Sequence, residues 1–195
     1  MMSDDPRIIA SKVYSSIAMI AQRNVADRMG KLRDARTAIS QDPSRTENID
    51  KWAAAHNELV REACVAIVFA AAALESYIYD YGARRRSDTF MKKYVDKLDI
   101  VAKWALVPEL VAGKPFSTDR QGFALLRDLA SARNQLIHFK SGPGRETMSA
   151  DWLAEKAELA VQALHAMIKD MASFDPEELP WLQFSDGRGL WGAPP

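Results

Sequence analysis

Arg133, Asn134 and His138 are residue types that could act on a phosphodiester if the fold brings them together. Cleaving RNA without a metal needs a group that moves protons on or off the 2'-hydroxyl or the leaving oxygen near neutral pH. It also needs a fixed cation for the negative charge that gathers on phosphorus. Histidine suits the first task because its unperturbed pKa is about 6.5, and arginine suits the second because its planar fork matches phosphate oxygens. Asn134 can orient either the imidazole or the phosphate, and Lys140 can add a phosphate contact.

These residues must be positioned by a helix. The stretch Phe123 to Lys140, read at about 100° per residue, places Leu125, Leu126, Leu129, Ala130, Leu136 and Ile137 on one apolar stripe. Arg133 falls in the middle of that stripe. A buried guanidinium stays charged and costs several kcal/mol, roughly, if it has no partner, so an anion is expected to face it. Glu75, directly after a long apolar run, is a candidate partner, its rival role being a carboxylate that reaches solvent at a bundle end. Asn134 and His138 lie about 40° apart and one turn along, so their tips can share a site. An ideal helix separates Arg133 from His138 by about 140°, so joint action requires the helix end to loosen or a second chain to complete the site. Gly142, Pro143 and Gly144 put a helix end just beyond the histidine.

Arg133-Asn134-Gln135-Leu136-Ile137-His138 resembles the signature of HEPN domains: an arginine and a histidine four to six residues apart, with a polar residue next to the arginine. The alanine-rich FAAAALESYIYDYG segment upstream is similar to that family as well, and the likeness covers about residues 50–170. The resemblance implies a metal-independent endoribonuclease with catalytic Arg133, Asn134 and His138. It implies two motif copies facing each other across a homodimer, with a 2',3'-cyclic phosphate as product. It also implies a toxin, antiviral-defence or RNA-processing setting, which can include an antitoxin partner. Some family toxins carry a modifiable tyrosine two residues after the histidine; here that position is Lys140, so regulation of that kind is not expected.

Composition bounds the remainder. A chain of 195 residues is most simply one domain. Cys64, the single cysteine, lies in an apolar run, so no disulfide framework or cysteine-based zinc site is expected, and a reducing cytoplasm suits it. Acids and bases balance at 26 each, so the whole molecule exerts no long-range pull on nucleic acid and any phosphate binding must be local. The acidic start MMSDDPRIIASKVYSS lacks the pattern of a signal peptide. The longest uncharged apolar run, Ala63 to Leu74, has 12 residues, where a bilayer requires about 20. The expectation is a cytoplasmic protein without membrane association, cofactor or metal.

The periodicities predict an all-α, antiparallel bundle of about five helices in residues 1–174. The first begins at Asp5-Pro6 and ends near Ala38; the second starts at a Ser44-to-Glu47 capping box and runs to about Tyr81, with Gly82 as its stop. Its run from Ala63 to Leu74, apolar all round, marks it as the central helix. Ser87 caps a third helix reaching about Ala105, with Phe90, Tyr94, Leu98, Val101 and Trp104 as core; Val107 to Pro115 is a connection. The motif helix is fourth, and a fifth buries Leu153, Ala157, Ala160, Val161, Leu164, Ile168 and Met171. Arg84, Arg85 and Arg86, with Lys92, Lys93, Lys97 and Lys103, can form a basic face that tracks RNA, or plain solvated charge favoured by the helix dipole. In the tail, residues 175–195, Trp181, Leu182, Phe184 and Trp191 are expected to fold onto the bundle or a second subunit. The alternative to catalysis is a non-catalytic HEPN-like helical scaffold or an RNA- or nucleotide-binding module, in which Arg133 is a structural ion pair and His138 a hydrogen bonder at the helix end.

Overall fold

Two long helices, α1 (Pro6–Gln41) and α2 (Thr46–Arg85), are joined by a short turn and run antiparallel. The contacts Asn48 to Ala38, Arg28 to Glu58 and Asn24 to Glu62 step in opposite directions along them. The computed structural model describes residues 6–137 and 148–178, with side chains from Ala10 onward. After α2 come a short α3 (Asp88–Phe90) that continues into a π-helical turn (Met91–Val95), then α4 (Ile100–Ala112), α5 (Gln121–Ile137), α6 (Ala150–Phe174) and a 3-10 turn (Pro176–Glu178). The described residues form an all-helical bundle, and none of the described helices is long and apolar enough to cross a membrane.

α2 is the central helix its composition predicts. Ala63, Ala66, Ile67, Ala70, Ala71, Ala73 and Leu74 are buried along it, because alanine lets α1, α4, α5 and α6 approach closely. The main core adds Ile78, Tyr81, Trp104, Leu126, Leu129 and Met167. Trp104 meets no water, and its indole N–H donates to the Leu74 carbonyl at 3.1 Å, which satisfies a buried donor. Cys64 is half-buried, and burial raises its thiol pKa.

Several boundaries differ from the sequence expectation. Helix α2 starts at an N-cap Arg45 rather than at a capping box; the Ser44 hydroxyl donates to Asp42 instead, and Glu47 pairs with Arg45 and Lys51. Those two cations hold the Glu47 carboxyl below its usual range. Gly82 lies inside α2, where it lets Met91 and Val107 pack against the backbone; the helix continues to Arg85. The expected third helix is broken. The π turn and the residues after it shift the register, so Met91, Val95, Ile100, Trp104 and Val107 point inward and Tyr94 is left 59% exposed. Asp99 restarts the chain as α4 by accepting from the Ala102 N–H at 2.8 Å. Pro108 does not stop α4: Val107 and Pro108 are buried, and the helix ends at Gly113, whose φ of 70° glycine adopts without strain. The last helix buries Leu153, Ala157, Ala160, Leu164 and Met171 as expected, while Val161 and Ile168 are half-buried. Its N-cap is Ser149, which accepts from the Trp152 N–H at 3.1 Å.

Candidate functional site

Helix α5 is anchored by Gly122, Phe123, Leu126, Leu129 and Ala132, its buried face. A side chain at Gly122 would strike Asp170 and the Ala166 backbone of α6, so this glycine sets a close helix–helix approach. The buried face points where the stripe was expected, but it ends at Ala132, short of the motif residues. Leu126 and Leu129 are buried as expected, but Leu125, Ala130 and Leu136 are half-buried and Ile137 is 52% exposed.

Its position beyond the last buried turn of α5 decides the environment of Arg133. It sits half-buried at the edge of the core, not in its middle, and its guanidinium donates to Asn134 Oδ1 at 3.4 Å. The expected ion pair with Glu75 does not form. Glu75 instead accepts from Lys103 Nζ at 2.6 Å, and Lys103 is only 3% exposed. A primary ammonium buried on α4 needs the carboxylate more than a guanidinium that reaches open space.

The space Arg133 reaches is a groove of about 630 Å³ between α4 and α5. Arg127, Ala130, Arg133 and Asn134 line it from α5, and Ile100, Val101 and Ala105 from α4. Arg127 is held by a bond to the Thr118 carbonyl at 3.2 Å, and its guanidinium carbon lies 5.3 Å from the centre of the Phe123 ring. Asp99 is the one acid among the lining residues, and its carboxylate caps α4. Neither His56, stacked on Trp52 at 5.2 Å, nor the exposed His165 lines the groove. His138 and Lys140 lie outside the described residues, as do Trp181, Leu182, Phe184 and Trp191.

Arg84, Arg85 and Arg86 are engaged within the protein. Arg84 binds both oxygens of Glu178, at 3.0 and 2.8 Å, and Asp80 at 2.8 Å. Arg85 binds Asp175 at 2.7 Å. Arg86 donates to the Leu110 carbonyl. The Tyr77 and Tyr81 hydroxyls join the same cluster, donating to Glu178 at 3.1 Å and Asp175 at 3.0 Å. These bonds tie the first residues of the tail to α2, and they leave the three arginines committed to internal acceptors. Lys103, counted in the expected basic face, is likewise committed to Glu75.

A second cavity, of about 600 Å³, is lined by Ala72, Glu75, Tyr79, Asp80, Asp96 and Lys103. Glu75 and Lys103 neutralise each other there, and Asp80 faces Arg84. No cluster of three or more histidine, cysteine or carboxylate side chains among the described residues is placed to hold a metal.

Sequence reasoning singled out Arg133 and Asn134 and missed Arg127. The spacing Phe123, Arg127, Ala130, Asn134, at steps of four, three and four residues, would have placed Arg127 on the same flank. Nothing local in the sequence announces that α4 supplies the opposite wall. Comparison of the chain with protein-family models, curated proteins and solved structures returns no match.

Proposed function

We propose that this protein is a metal-independent endoribonuclease of HEPN type. The carrying observation is the state of Arg133: a guanidinium with no carboxylate partner among the described residues, lining an open groove beside Arg127. In the scaffold alternative Arg133 is a structural ion pair, and that pair is missing among the described residues. In the proposed reaction a 2'-oxygen gives up its proton and bonds to the adjacent phosphorus. The bond from phosphorus to the 5'-oxygen breaks, and that oxygen takes up a proton, leaving a 2',3'-cyclic phosphate.

His138, the residue next after α5's last described position, carries the proton transfer. Arg133 stabilises the charge on the phosphate oxygens, Asn134 orients the reacting groups, and Lys140 adds a phosphate contact. Two protomers facing each other would supply one histidine to accept the proton and one to return it, which is why we place a homodimer two-fold near α5. A toxin or defence role, with an antitoxin partner, is the setting in which such an activity needs restraint.

The test is incubation of the protein with end-labelled RNA in the presence of a chelator. The native chain should cut the RNA and leave cyclic phosphate ends, while Arg133→Ala and His138→Ala should lose about 10²–10⁴-fold in rate. Equal activity in all three would end the catalytic reading, and light scattering that finds only monomer at micromolar concentration would remove the paired-site mechanism.

A further inference from the structure

The groove between α4 and α5 extends well beyond what one phosphate at Arg133 requires. We propose that it seats an unpaired stretch of single-stranded RNA, with Arg127 holding a phosphate other than the one at Arg133; that the polymer is RNA rests on the endoribonuclease reading. Arg127 and Arg133 are six residues apart on α5, a rise of about 9 Å, which is longer than a single phosphate group. The two guanidiniums therefore take different phosphates of one strand. Each is oriented by neutral acceptors, Arg127 by the Thr118 carbonyl and the Phe123 ring, Arg133 by the Asn134 amide, so each keeps its positive charge for a ligand.

The floor between them is apolar, made by Ile100, Val101, Ala105, Phe123 and Ala130. A duplex offers such a floor only its phosphates and sugars. A single strand can lay an unstacked base on it while its backbone follows the arginines, and 630 Å³ lies within the range of about 300–1,000 Å³ for small-ligand clefts. Asp99 opposes the binding. Its carboxylate is fixed by the Ala102 N–H, so it cannot swing away when a phosphate arrives. Removing its charge should therefore strengthen the complex, an effect that a purely structural role for the groove would not produce.

The experiment measures anisotropy of a short labelled single-stranded RNA in chelator, using the full chain with His138→Ala so that the strand stays intact. Adding Arg127→Ala should weaken binding about 5–10-fold and reduce the slope of log K against log salt by about 0.7, the loss of one phosphate contact. Adding Asp99→Asn should tighten binding about 2–5-fold, since asparagine still caps α4 and a melting curve verifies that the fold is kept. Unchanged affinity and slope in Arg127→Ala, no gain in Asp99→Asn, or a duplex of the same sequence binding equally well and with the same dependence on Arg127 would each overturn the proposal. If these variants change nothing while the native chain cuts RNA and Arg133→Ala does not, the groove proposal falls and the nuclease reading stands. If binding follows the expected pattern while the native chain leaves RNA uncut, the nuclease reading falls and the groove remains a strand-binding seat.

Discussion

Replacing Glu75 with alanine should leave Lys103 buried without a counter-charge. The Lys103 side chain is 4% exposed, and that of Glu75, whose carboxylate it meets at 2.6 Å, is 35% exposed. Removing one partner from a fully buried pair costs about 3–5 kcal/mol; water that reaches the Glu75 end lowers this to about 2–3 kcal/mol. For a chain of this size each kcal/mol moves Tm by about 2–4 °C, so Glu75→Ala should lower Tm by about 4–12 °C. Glu75→Gln, which keeps an acceptor, should cost less. The decisive measurement is a double-mutant cycle in denaturant with Lys103→Met, which fills the lysine's volume without its charge. The pair Glu75→Ala with Lys103→Met should recover most of the loss. A Glu75→Ala protein within about 0.5 kcal/mol of the native chain would refute the reasoning. Rescue by Arg133→Met in place of Lys103→Met would restore the Glu75–Arg133 pairing that the structure replaces.

Two further outcomes follow from the core of α2. In Gly82→Ala the new methyl would lie 2.5 Å from Met91 Sδ and 2.9 Å from Val107 Cγ1, both buried; overpacking should outweigh the better helix propensity of alanine by about 1–2 kcal/mol, and a denaturant midpoint equal to or above the native value would contradict it. Tyr77 and Tyr81 should not ionise in the native chain at the pH where tyrosines ordinarily do, because burial first, then Glu178 for Tyr77 and Asp175 for Tyr81, push both phenols up. A group whose folded pKa is raised stays protonated in the native chain after it has ionised in the unfolded one, so its stabilising effect is complete below the ordinary tyrosine value, about 10, and declines as pH rises above it. Tyrosinate absorbance should thus appear for these two only as the protein unfolds in base, and their free titration in the native protein would show that the cluster is open to water.

The sequence disclosed the fold where composition leaves a single choice. Twelve consecutive apolar residues on α2 can be accommodated only by surrounding helices, and they are surrounded. It misled where one pattern fits two structures. Phe90, Tyr94, Leu98, Val101 and Trp104 recur as one continuous helix would require, yet the chain makes a π turn at Met91–Val95 that leaves Tyr94 outward and restarts at the Asp99 cap. Pro108 reads as a stop because it lacks a backbone donor, but one missing hydrogen bond is offset by burying Val107 and Pro108. Arg133 and Asn134, singled out by type and spacing, both line the α4–α5 groove. The partner of Glu75 was not legible, because Lys103 and Arg133 are both cations in apolar surroundings and only the three-dimensional path of α4 selects between them.

Charge sorting would let a neutral chain hold the proposed phosphate site. With 26 acids and 26 bases there is no net field to draw a polyanion from a distance. Locally the balance is uneven, since carboxylates are concentrated elsewhere: Glu58 on Arg28, Asp80 and Glu178 on Arg84, Asp175 on Arg85, Glu75 on Lys103, Asp170 on Arg120. Arg127 and Arg133 are oriented by neutral groups, and the groove's lone acid is turned to a backbone donor. Charges exposed beyond a Debye length of about 8 Å are screened at physiological salt, so an incoming strand senses the groove only on contact. RNA association should then proceed without electrostatic acceleration, and the salt dependence should fall on the lifetime of the complex rather than on its rate of formation.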